Sequence, residues 1–219
     1  MKISEMIDFS YYNKIGFVLL LPLVFVFLMS RIDLRKTKRL FFVFFSNSYF
    51  YAYPVDTTPN ISLFTILRFG FASTLLGLLI MLLFYDKDYL FAFFFTAYFE
   101  SLGMSVLYLL IKYFVAEFVY FASNKKSYYK QMLVLETSYL TSVLMANYFV
   151  ISYAFLHLKE LDVVFKIMYI SLLITYFMRL SGMLINNKNL LSGKLFYIIL
   201  YLCTLEIFPF IYLFKRYLV

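Results

Sequence analysis

Seven ionisable side chains interrupt the long apolar runs of this chain: Arg68, Glu100, Lys112, Glu117, Glu136, Arg179 and Glu206. A lone ion at the centre of a membrane helix costs at least roughly 2.5–3.5 kcal/mol on insertion scales, so each must pair, reach an interface or lose its charge. Arg68, Lys112, Glu136 and Arg179 fall near one end of their runs, within snorkelling distance of an interface. Glu136 could pair there with Arg68 or Arg179. Such a layer either locks neighbouring helices together or receives a substrate or lipid headgroup.

Glu100 and Glu206 differ, each lying eleven or twelve residues from the start of its run and so close to the midplane, where no basic residue shares their depth. Glu100 has Thr96, Gly103 and Met104 on its helical stripe, and Glu206 has Leu202, Cys203, Pro209 and Phe210. Pro209 cannot donate to the carbonyl of Leu205, which predicts a kink and a free acceptor beside Glu206. A carboxylate next to an unpaired carbonyl can bind a cation or carry a proton. A neutral acid hydrogen-bonded across a helix interface is the other reading, and both stay open.

The elements that must position these residues follow from hydropathy. With 64% hydrophobic residues, mean hydropathy +0.84, 29 Phe, 22 Tyr and 15% charged residues, the chain lies far from soluble composition, and low charge with high aromatic content excludes disorder. An all-α polytopic membrane bundle of about six transmembrane helices is expected, as a single domain over 1–219. The spans run from about 15 to 30, 61 to 85, 89 to 115, 132 to 156, 163 to 184 and 195 to 214. The first ends in Arg31, Arg35, Lys36, Lys38 and Arg39 with no small-x-small cleavage site, which favours a retained span over a cleaved signal peptide.

Leu40 to Tyr53 is aromatic and apolar but carries Ser46, Asn47 and Ser48 and is closed by Pro54, so it reads as an interfacial or re-entrant segment. A tilted extra helix there would invert everything downstream. Apolar character from Tyr89 to Phe121 without a turn signal amounts to about 50 Å of helix, predicting protrusion beyond the bilayer or strong tilt. The odd-numbered connections hold ten Lys and Arg against seven in the even-numbered ones and the termini, so both termini are expected outside the cytoplasm. Topology and affinity for anionic headgroups account for most of the net charge of +8, which gives no argument for nucleic-acid binding.

The usual catalytic constellations are missing, and no metal or cofactor is expected. His157 is the only histidine and reads as an interfacial side chain; Cys203, the single cysteine, reads as a small hydrophobe. No phosphate-cradling loop, zinc-protease motif or nucleophile elbow occurs. Ser138, Ser142 and Ala146, like Ser73 and Gly77, recur at steps of four and predict close helix packing. Asn147 shares a stripe with Glu136, a face that should turn towards protein.

The segment Tyr197 to Lys215, YIILYLCTLEIFPFIYLFK, resembles the C-terminal signature of a Bacteroidota multi-pass inner-membrane family, domain of unknown function 4271. The resemblance is carried by the core Tyr201 to Pro209 and the closing Lys215. It implies an integral inner-membrane protein with a Cys-x-x-Glu-x-x-Pro helix and no assigned activity, and it marks Glu206 as a position to test. The residues favour a non-enzymatic subunit of an envelope complex, bound to other membrane helices. A small proton- or cation-coupled transporter using Glu100 and Glu206 is the alternative, although no internal repeat is seen. An intramembrane lipid-modifying enzyme lacks an obvious nucleophile and base.

Overall fold

In hydrocarbon, backbone N–H and C=O groups must pair within their own segment, so apolar runs of this length fold as helices. The computed structural model describes residues 3–43, 62–85, 87–123 and 126–157, with scattered helical positions between 163 and 181; the side chains of 3–12, 87–89, 91, 116, 118–136 and 156 lie outside that description. Among the described residues the regular elements are all helical: α1 (Ile3–Ile32), α2 (Leu34–Phe41), α3 (Leu63–Phe84), α4 (Lys87–Ser123) and α5 (Lys126–His157). By internal packing the chain divides into Met1–Arg179, which holds all five, and Leu180–Val219, of which only Ser181 is described.

Three described stretches are long and apolar enough to cross a membrane: Asn13–Ile32, Leu63–Phe84 and Ala92–Val115. They coincide with the first three expected spans. The expected span at 132–156 falls within the continuous helix α5, and between 163 and 181 the few described positions are helical. Residues 44–53 of the aromatic segment and the span at 195–214 lie outside the described residues. At 37 residues, α4 measures about 55 Å, in line with the long third helix expected. It is not straight: Phe93, at φ −125° and ψ 40°, interrupts the helical backbone.

α3 is the central helix, with 61% of its span buried against 28% for those of α1 and α4. Its entry is fixed by Ser62, whose Oγ accepts the Thr65 amide at 3.2 Å. α1 runs antiparallel to α3, with the Phe25 ring against Gly70 and, just past the end of α1, Lys36 Nζ 4.8 Å from the ring centre of Phe64. α4 returns antiparallel on another face. There the Ser105 hydroxyl donates to the Ser73 carbonyl at 2.8 Å, and Gly77 meets the backbone of Leu102 so closely that an added Cβ would stand 2.9 Å from its Cα. Ser73 and Gly77 thus let two backbones touch, as their spacing predicts.

α1 and α3 are thus antiparallel, with Ile32 at the same end as Leu63. The turn starts at Asp33, which caps α2 by accepting the Lys36 amide at 2.8 Å on its Oδ1. α2 then packs back against α1 and α5. Leu40 and Val43 are fully buried, the Phe41 carbonyl accepts the Ser142 hydroxyl at 2.9 Å, and the Phe41 ring meets Phe149 edge-on. On the far side, Pro22 leaves the Val18 carbonyl without its helical donor, and Tyr148 donates to the adjacent Leu19 carbonyl at 3.1 Å.

Candidate functional site

Arg68 stands in the second turn of α3 and reaches across to α5. Its Nη2 donates to Thr137 Oγ1 at 3.1 Å and its Nη1 to Ser138 Oγ at 3.3 Å. Those residues directly follow Glu136, so the fold brings Arg68 to the segment that carries the expected acid; the Glu136 side chain is outside the described residues. The pairing of Ser105 with Ser73 places Lys112, two turns further along α4, close to the level of Arg68. Lys112 is 6% exposed, with Nζ 5.7 Å from the centre of the Tyr108 ring, a cation–π distance. Two of the four members of the expected polar layer therefore stand at one end of the helices. Arg179, the fourth, is outside the described residues.

Ser138 was conspicuous in the sequence only as a small residue, and Thr137 gave no signal. Both turn out to be hydroxyl acceptors for a guanidinium. Deeper in the structure Asn147, fully buried, accepts the Ser171 hydroxyl at 2.8 Å on its Oδ1 and donates to the Val143 carbonyl at 3.0 Å. Its face of α5 is turned to protein as expected, and it ties α5 to the helical positions after 163.

Glu100 lies on the exposed face of α4. It stands thirteen residues into α4 and seven past the break at Phe93. It also has a partner, for Tyr85, the C-cap of α3, donates from its hydroxyl to Glu100 Oε2 at 2.7 Å. A tyrosine closing one helix of an antiparallel hairpin is the signal that could have found this bond, because its long side chain points back along the partner helix.

The orientation of Glu100 matters most. Thr96, Glu100, Gly103 and Met104 are all exposed, while Phe94, Ala97, Tyr98, Ser101 and Ser105 form the buried face of α4. Open space surrounds Gly103, with nothing within 4 Å of an added Cβ. α4 therefore presents a polar, small-residue stripe outwards from a stretch of membrane length. The remaining candidates Cys203, Glu206 and Pro209 lie outside the described residues. His157 is exposed, its Nδ1 3.1 Å from the Tyr153 carbonyl and its ring stacked on Tyr153 at 4.3 Å. Among the described residues no three His, Cys, Asp or Glu side chains converge as a metal site would require.

Comparison with known proteins gives no similar curated protein and no similar solved structure. A family match covers nearly the whole chain, residues 11–216. The chain belongs to the family described as Domain of unknown function (DUF4271).

Proposed function

We propose that this protein is a non-enzymatic subunit of a cell-envelope membrane complex, held in the inner membrane by six spans with both termini outside the cytoplasm and residues 40–53 at the interface. The observation that carries this reading is the outward stripe of Thr96, Glu100 and Gly103 on α4. A carboxylate facing lipid at this depth is disfavoured by up to about 2.5–3.5 kcal/mol, and one interhelical hydrogen bond in a membrane returns on average only about 0.6 kcal/mol. A second helix laid over the stripe would exclude lipid from Glu100 and supply further donors, and Gly103 leaves room for its backbone. A transporter using Glu100 would need that carboxylate to line a path inside the bundle, and its outward position speaks against this.

The test is purification of the full chain from native membranes in mild detergent, followed by mass spectrometry, for the wild type and for Gly103→Leu. The wild type should carry a stoichiometric membrane partner. Gly103→Leu should lose it while remaining folded, because a Cβ added there meets nothing within 4 Å and the position faces outwards. A wild type without any partner, or a Gly103→Leu protein that retains one in full, would refute the reading.

A further inference from the structure

A groove of about 180 Å³ opens between α1, α2 and α5. Leu23 and Val26 line one wall, Met145 and Phe149 the other, with Phe71 and Phe42 completing an apolar surface. The polar side chains at its edge are already committed: Ser30 donates to the Val26 carbonyl at 2.9 Å and Thr37 to the Asp33 carbonyl at 2.9 Å. At about 30 Å³ per water-sized group it has room for roughly six such groups, against a lining that is almost wholly apolar. A segment of hydrocarbon chain suits it and water does not.

The edge of the groove is strongly basic. Lys38 is one of its lining residues and is exposed, and Arg31 and Arg35 are exposed on the same turn of chain. The one acid among them, Asp33, is occupied as the cap of α2. We infer that the groove is a binding site for an anionic phospholipid, one acyl chain lying along Leu23, Val26 and Phe149 and the phosphate held by Lys38 and Arg35. Apolar walls alone would accept any lipid. Charge complementarity selects the occupant: three exposed cations against one capped carboxylate favour a phosphate diester without a compensating ammonium. The site also gives α2 a role, since it is this helix, folded back on the bundle, that closes the groove and carries the cations to its mouth.

The proposal rests on the membrane placement of α1 and is independent of the subunit reading. The chain has no tryptophan, so a single Trp reports from one place. Phe42→Trp puts the reporter in the groove, with Phe149→Trp as a second position should the first variant fail to fold; Phe17→Trp puts it on an exposed face of α1 away from the groove. Each variant is reconstituted into vesicles containing brominated phosphatidylglycerol or brominated phosphatidylcholine at equal mole fraction. In the groove, phosphatidylglycerol should quench at roughly fivefold lower mole fraction for each cation engaged, and the combined change Lys38→Gln and Arg35→Gln should abolish the preference. At Phe17→Trp both lipids should quench alike.

Equal quenching by the two lipids in the groove, or a preference that survives loss of both cations, would overturn the proposal. So would emission at Phe42→Trp that responds to protein concentration and not to lipid, the mark of a second copy. Absence of quenching by either lipid at Phe17→Trp would instead refute the membrane placement itself.

Discussion

Gly77→Ala should destabilise the protein although alanine is the better helix former. A Cβ built at Gly77 stands 2.9 Å from Leu102 Cα, 3.2 Å from its nitrogen and 3.3 Å from its Cβ. The two closest of these are backbone atoms of the facing helix, so relief requires α3 and α4 to separate by several tenths of an ångström. That movement would stretch the 2.8 Å bond from Ser105 to the Ser73 carbonyl one turn away. Overpacking of this kind costs about 1–3 kcal/mol, against a gain of at most about 1 kcal/mol from replacing glycine in a helix, leaving a net loss of about 0–2 kcal/mol. Gly77→Val, with two further methyl groups and no propensity gain of that size, should lose about 2–4 kcal/mol on the same reasoning.

Two internal controls sharpen this prediction. At Gly70 the Cβ would meet the Phe25 ring at 2.6 Å, yet the obstacle is the far end of a side chain that can rotate, so Gly70→Ala should lie between the two extremes. At Gly103 nothing lies within 4 Å, and Gly103→Ala should be neutral or stabilising by up to about 1 kcal/mol in the isolated chain. Reversible unfolding of purified protein in mixed micelles, titrated with denaturing detergent, gives the order. If Gly77→Val proved as stable as Gly103→Ala, the close contact between α3 and α4 would be wrong.

Arg68→Ala removes two charge-assisted hydrogen bonds to Thr137 and Ser138, so at about 0.6 kcal/mol per membrane bond it should lose at least about 1 kcal/mol in the same assay. Arg68→Lys, which keeps the charge but not the fork, should lose about half as much, and equal losses in the two variants would show that the fork geometry contributes nothing. Reporter enzymes fused after residues 38 and 126 should be active as cytoplasmic fusions, and one fused after Val219 as an external fusion. A cytoplasmic C-terminus would mean an odd number of spans.

Hydropathy sums over a window and needs no partner, so the apolar stretches at 13–32, 63–84 and 92–115 could be read from composition along the chain. Small residues carry their message the same way: Ser73 and Gly77 offer no side chain to separate two backbones, whatever helix arrives. Faces are another matter. In a helix apolar nearly all round, lipid is as acceptable a neighbour as protein, so no periodicity tells which side of α4 is covered. Hence Glu100 could be placed on a stripe with Thr96 and Gly103, but whether that stripe faced inwards or outwards was decided only when Ser105 met Ser73. The return of α2 against α1 and α5 was likewise invisible, because the basic residues that make it a topology signal mask Thr37 and Leu40, the two positions it buries. The sequence by itself determined that these helices form and lie in a membrane; which of their residues meet, and which are left facing outwards, depends on contacts between segments up to 129 residues apart, as from Tyr148 to Leu19.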